Sequence, residues 1–518
     1  MKRARLIWLL VLLVLAANVI AAGAFRFSAQ NAYKPILLLN GACVLGLLAL
    51  GNATEPRPQG SGCLGPSFLL LLSLSVVAAY FASFWVNFTY HDWTHRHIAA
   101  DLNSWSAVGH LFTARQPDGM YRPLTFLSFW VDYRLFGSAL WAYHLQSLVI
   151  HVADAVLVGL LAIRLGLGAR IGRLAAWIFG LSAIHFEAVL WPAARFDLLA
   201  VLFSVIALLL FLAHGRTSGG RAAAYGLASL LSYAVAILTK ETAYSLALLV
   251  PALIALGPFA ERGWRRAMPY LAGLLSVTLV MFAIRFAIFK GVGGYAHSSV
   301  SLKSIYLLGA DTLSLPLFGM NFTVKTSISI LIAIVWAALA VAWGFLHRGS
   351  SRREKLVMLV LALLSAVPAL SVIGWIQPSM LHTRHLYWPS AWFAIFLAMV
   401  LDETRRRRVF IVAFLLIQVA AMNYSVWVYR DALQRIDQSV EAVARSARGE
   451  ALIAGVPDDP NGVICYIPEL RERLAQGLPG VPFCICSKAA DCGPSPGRPA
   501  VVFQWDAGNR RLVESTAR

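Results

Sequence analysis

Residues 174–213 read LAAWIFGLSAIHFEAVLWPAARFDLLAVLFSVIALLLFLA. Two apolar runs, near 174 to 190 and 197 to 213, each approach the ~20 residues that a helix needs to cross a hydrocarbon core of ~30 Å. The turn between them, His185 to Asp197, carries Glu187, Arg195 and Asp197. In lipid every backbone donor and acceptor must be satisfied within its own segment, so such runs read as spanning α-helices. The turn then marks a membrane boundary.

The pattern extends in both directions. The 518 residues are 59% hydrophobic and 13% charged, with a mean hydropathy of +0.69; soluble domains are nearer ~45–50% and ~25%. A water-soluble fold is excluded. Spans fall near 6 to 22, 35 to 51, 67 to 86, 138 to 163, 174 to 190, 197 to 213, 222 to 239, 242 to 258, 267 to 289, 327 to 346, 356 to 374, 386 to 401 and 409 to 428. The fold class is an all-α polytopic membrane protein with about 13 transmembrane helices. Met1-Lys2-Arg3-Ala4-Arg5 and the apolar run after it fit a first anchor better than a cleaved signal peptide.

The formal charge of +19 raises a nucleic-acid partner, yet the basic residues form small clusters between apolar runs rather than one patch. They read as topology signals. Arg164, Arg170 and Arg173; Arg216 and Arg221; Arg262, Arg265 and Arg266; Arg348, Arg352, Arg353 and Lys355; and Arg405 to Arg408 occupy alternate connections and mark them cytoplasmic. Outside lie the loop 87 to 137, the turn at His185 to Asp197, Lys240-Glu241, the region 290 to 326, the turn 375 to 385, and everything after about 429.

Residues 1–66 hold two helices, 67–428 form the core, and 429–518 change composition toward a small α/β appendage outside the membrane. Cys465, Cys484, Cys486 and Cys492 lie in that appendage, where disulfides are permitted. Their pairing is open, and zinc is the lesser reading. The tripeptides starting at Asn52, Asn87 and Asn321 match the N-glycosylation pattern by chance. Composition points to a bacterial inner membrane with a periplasmic active face.

Ionised side chains are costly in lipid and need a reason; here they gather on the outer side. Asp92 follows a spanning helix within Tyr90-His91-Asp92-Trp93-Thr94-His95, where a carboxylate can take a proton from a hydroxyl. Its plainer role is a loop acid or a helix cap. Arg195, Lys240 and Arg384 come from three separate turns and suit a phosphate at headgroup level. Arg195 and Asp197 could instead neutralise each other, and Lys240 and Arg384 could be snorkelling anchors. His91 and His95 invite a divalent metal as the lesser reading, without a completed ligand set. His144 and His151 read as packed polar contacts between helices.

Together, Asp92 in the first long loop, Tyr121-Arg122-Pro123-Leu124-Thr125, His144 to His151, the stretch from His185 to Leu199, Lys240-Glu241-Thr242, and Arg384-His385-Leu386-Tyr387 resemble the GT-C glycosyltransferases. Within that superfamily the nearest likeness is to the membrane part of the dolichyl-phosphate-mannose O-mannosyltransferases that carry tetratricopeptide repeats. The likeness runs from about residue 80 to 430. It implies a GT-C-like bundle and an inverting transfer of a sugar, mannose or a similar hexose, from a polyprenyl-phosphate carrier to a hydroxyl acceptor on a protein, lipid or polysaccharide. Asp92 would be the general base, with no cofactor required. Arg195, Lys240 or Arg384 would hold the leaving phosphate. His91, Tyr121, Arg122, Glu187, Asp197, Glu241, His382 and Tyr387 would orient these groups or bind sugar and acceptor. Members of the group often show paired acids where this chain has His91-Asp92, and the repeats are absent. A flippase for a lipid-linked glycan and an inactive scaffold are the competing readings.

Overall fold

The computed structural model describes residues 64–116, 119–256, 264–292, 301–314, 316, 352–372, 382–403, 407–446, 449–456, 466–486, 500–506 and 511–514. The expected spans near 6 to 22, 35 to 51 and 327 to 346 lie outside these residues, as do Cys465 and Cys492, Asn52 and Asn321.

Six described helices are long and apolar enough to cross a membrane: Pro66–Trp85, Leu140–Arg164, Pro192–His214, Gly219–Thr239, Ala267–Phe289 and Ile411–Ser446. The expected span near 174 to 190 is instead a broken pair, Ala169–Gly180 and Ala183–Leu190, bent by 49°. The break leaves Ser182 to His185 turning among other helices. The span expected at 242 to 258 is a 3-10 turn, Glu241–Ser245, followed by a short helix, Leu246–Leu256. The span expected near 409 to 428 continues beyond its expected end as one 40-residue helix, Arg407–Ser446.

The loop 87 to 137 is largely helical, because its sequence carries the start signals. Thr89 and Asp92 form a capping box at the start of Tyr90–Asp101, satisfying two backbone donors that open a helix. Ser104 Oγ accepts from Ala107 N at 3.1 Å at the next helix start. Pro123 stands in the first turn of Pro123–Phe136, and Gly137 at φ 58 ends it.

The core is a continuous apolar cluster through the bundle. The Leu140–Arg164 and Ala169–Gly180 helices meet backbone to backbone: a methyl group on Gly159 would stand 2.8 Å from the Gly172 carbonyl oxygen, and one on Gly172 would stand 2.6 Å from that of Gly159. Small residues allow this close approach, and dispersion holds it.

At the C-terminal end, β1 (Glu450–Ala454), β2 (Phe483–Cys486), β3 (Ala500–Asp506) and β4 (Arg511–Glu514) form a sheet in the order β2-β1-β3-β4. The first two pairings are parallel, with Ala451 opposite Phe483 and Glu450 opposite Ala500; β4 runs antiparallel to β3. With the Tyr466–Gly477 helix this is the small α/β appendage read from the sequence. Cys484 and Cys486 are disulfide-bonded, which removes them as zinc ligands. Arg473 ties the appendage to the 40-residue helix by an ion pair to Asp437, and to the start of the loop 87 to 137 by a bond to the Phe88 carbonyl.

Candidate active site

Asp92 is 1% exposed and receives three hydrogen bonds. The Thr89 backbone N–H and hydroxyl both donate to Oδ2 at 2.8 Å, and the Ala193 N–H donates to Oδ1 at 2.6 Å. Burial pushes the carboxyl up to about 7, against the pull of these donors. Asp92 is therefore a helix cap, as its plainer reading held, and also a carboxylate titrating near neutral pH. A carboxylate oxygen offers two lone pairs; Oδ2 is saturated and Oδ1 has one left.

Trp191, which the sequence reading passed over, joins Asp92 to the cations. Its Nε1 donates to Thr89 Oγ1 at 2.8 Å, its ring lies 5.8 Å from that of His91, and the Arg384 guanidinium stands 4.9 Å over its face. The Trp191-Pro192 step in the quoted turn was the available signal.

Four cations stand against four carboxylates. Arg384 pairs with Glu187, and its backbone N–H also donates to Glu187 Oε2 at 3.1 Å. Lys240 pairs with Asp197. Arg122 grips Glu241 bidentately, at 2.6 and 3.2 Å. Arg195 pairs with Asp132 at 2.6 Å and donates to the Tyr143 carbonyl at 3.0 Å. Arg122 and Lys240 share the face of Phe196, at 4.3 and 4.7 Å.

Arg195 and Asp197 do not neutralise each other. Both begin one helix, and residues two apart on a helix face different directions, so Arg195 reaches Asp132 and Asp197 reaches Lys240. Arg195 is 0% exposed, with its guanidinium over Phe129. Asp132 was missed as a lone acid inside an apolar run.

The remaining expected residues divide. His382 accepts from Arg384 at 3.0 Å and holds the left-handed conformation at φ 60. Burial, aided by Arg384, lowers its pKa to about 3. Tyr121 turns back on its own loop, donating to the Phe112 carbonyl at 2.9 Å. Tyr387 donates to Asp154 at 2.8 Å and meets His151 Nδ1 at 2.7 Å, while His185 meets Ser390 Oγ at 2.6 Å. This polar network sits inside the bundle and glues helices together. His144 meets the Val86 carbonyl at 3.0 Å.

No family model matches the chain. Over 183 residues it is 31% identical to the human Protein O-mannosyl-transferase TMTC2, a match that takes in 34% of this chain and 22% of that one. It is 32% identical over 158 residues to the mouse Protein O-mannosyl-transferase TMTC3, 29% of this chain and 17% of that one. The resemblance to the GT-C glycosyltransferases is borne out. The match spans less than a quarter of the length of these curated relatives. Among solved structures, ArnT from Cupriavidus metallidurans bound to undecaprenyl phosphate is 16% identical with a TM-score of 0.43, covering 86% of this chain and 94% of that chain. The arabinosyltransferase EmbB from Mycobacterium smegmatis is 11% identical with a TM-score of 0.30, covering 78% and 45%.

The histidines of the first loop are engaged with aromatic rings. His95 packs 4.6 Å from Phe126 and 5.1 Å from Phe129. Among the described residues no group of three or more His, Cys, Asp or Glu is arranged to hold a metal.

Proposed function

We propose that the chain is an inverting glycosyltransferase that moves a hexose, mannose or a similar sugar, from a polyprenyl-phosphate carrier to a hydroxyl acceptor on the periplasmic face of a bacterial inner membrane. The observation that carries this reading is the link from Asp92 through Thr89 and Trp191 to Arg384. It joins a carboxylate titrating near pH 7 to a run of membrane-edge cations.

In the proposed reaction the acceptor hydroxyl attacks the anomeric carbon as the bond from that carbon to the phosphate oxygen breaks. The hydroxyl proton passes to Oδ1 of Asp92, and the electron pair leaves with the phosphate. Attack opposite the leaving group inverts the anomeric centre. A base whose pKa lies near the working pH combines an ionised resting form with a useful driving force. Arg384 faces the developing phosphate charge beside Trp191, whose ring offers a surface for a sugar. Guanidinium and ammonium groups supply the positive charge, so the proposal requires no metal.

The test is mass spectrometry of surface glycolipid, polysaccharide and glycoprotein from a deletion strain. Loss of one sugar, restored by wild type and not by membrane-inserted Asp92→Asn, is the expected result and names the acceptor. An unchanged profile in the deletion strain sinks the transferase. Carrier crossing liposomes without sugar transfer would support the flippase instead.

A further inference from the structure

Arg122, Arg195, Lys240 and Arg384 each have a carboxylate against them. Arg285, near the end of the Trp264–Phe289 helix, makes no hydrogen bond or ion pair among the described residues, although it is only 8% exposed. Its guanidinium lies 4.8 Å over the Phe289 ring. A second guanidinium, Arg115 from the outer loop, stands 5.6 Å from the same ring; its Nε donates to the Gly119 carbonyl at 3.0 Å.

Tyr121, Glu241 and Tyr244 lie within electrostatic reach of Arg285. Both oxygens of Glu241 are already taken by Arg122. The Tyr244 hydroxyl is buried with no hydrogen-bond partner among the described residues. Arginine near a helix end commonly snorkels to water, but that places the head group in solvent, and Arg285 is largely covered. Two guanidiniums at one ring also repel each other, and a buried charge without a partner is unfavourable. Both problems are relieved by one anion.

We propose that Arg285, Arg115 and the Tyr244 hydroxyl seat a phosphate group carried on a lipid. The assignment rests on the transferase reading for its choice of carrier. Guanidinium forks match phosphate oxygens, and a phenol adds one donor. The aromatic ring of Phe289 shields the contact from water on the helix side.

The experiment measures lipid binding by native mass spectrometry of the full chain in nanodiscs, without acceptor. The probes are polyprenyl monophosphate, the same polyprenol without phosphate, and dioleoyl phosphatidate. Polyprenyl monophosphate is expected to bind and the alcohol not to. Arg285→Gln should weaken binding at least about tenfold, the loss of one charge-assisted contact, while Lys290→Gln, exposed beside the site, should leave it unchanged. If Arg285→Gln fails to insert, Arg285→Lys keeps the charge without the fork and should still weaken binding.

Equal, Arg285-dependent binding of phosphatidate would support the site and assign it to lipid phosphate in general; preference for polyprenyl phosphate would assign it to the sugar carrier. Wild-type affinity in an Arg115→Gln/Arg285→Gln variant would overturn the proposal. A wild type that binds phosphate through Arg285 yet makes no glycosylated product overturns the transferase reading and leaves the site standing.

Discussion

The Ala193 N–H donates to Oδ1 of Asp92 at 2.6 Å, so a backbone group of the turn from His185 to Asp197 holds the carboxylate of the loop 87 to 137. One acid thus caps a helix, fastens two loops and faces the Trp191 side of the cation run. Its position is fixed by bonds that a solvated loop acid would not have.

The Trp191 link predicts a graded series. Trp191→Phe keeps a ring for Arg384 and loses the bond to Thr89 Oγ1, and sugar transfer should fall by roughly tenfold, the equivalent of one neutral hydrogen bond. Trp191→Ala removes both contacts and should fall further. Initial rates of carrier-phosphate release measure the order; equal rates for Trp191→Ala and wild type would contradict it.

The pH dependence of Asp92 has opposite signs for rate and stability. Only the ionised carboxylate accepts a proton, so the rate should rise about tenfold per pH unit up to about 7 and then level. Stability runs the other way, because the folded carboxyl binds its proton more tightly than one at the ordinary 3.8. Its contribution is fully present below about 3.8 and is lost as the pH rises through about 7. Thermal melts of Asp92→Asn against wild type across this window should show a smaller pH dependence in the variant.

Arg195 and Asp132 are both enclosed, so breaking the pair should cost about 3–5 kcal/mol, whereas replacing both with apolar side chains is close to neutral. Asp132→Leu and Arg195→Met alone should lower the melting temperature sharply, and the double variant should recover most of the loss. A double variant as unstable as either single change would show that the pair is not the source of the cost.

Tyr387 bridges Asp154 and His151, two buried polar groups from the Leu140–Arg164 helix. Tyr387→Phe leaves both short of a partner and should destabilise by about 1–3 kcal/mol for each group. Its binding of polyprenyl monophosphate should stay near wild type, since none of these contacts involves Arg285, Arg115 or Tyr244. Chemical denaturation and native mass spectrometry separate the two effects.

Membrane insertion and the grouping of ionisable residues could be read from the sequence because each rests on local periodicity and on the cost of charge in lipid. The break at Ser182 and the helices inside residues 90–136 were less legible. A bent apolar stretch has the same composition as a straight one, and the aromatics of the loop 87 to 137 do not distinguish coil from short packed helices. Asp92, Lys240 and Arg384 stood out by position, as did Glu187 and Asp197, but which acid meets which cation did not. Pairing of Arg195 with Asp132 depends on which helix packs alongside, and no spacing within residues 184–197 reveals a carboxylate at 132. Arg285 was hidden for the same reason, since in the chain it is one arginine near the end of an apolar span.

The most direct measurement is single-turnover sugar transfer by purified protein in liposomes supplied with a polyprenyl-phosphate hexose and a membrane-extract acceptor, comparing wild type with Asp92→Asn. The account predicts carrier phosphate and an inverted glycoside from wild type, and a rate lower by roughly 10²–10⁴-fold for Asp92→Asn, with binding of polyprenyl monophosphate preserved. Equal transfer rates in the two proteins would contradict the assignment of Asp92 as the base, and with it the central claim.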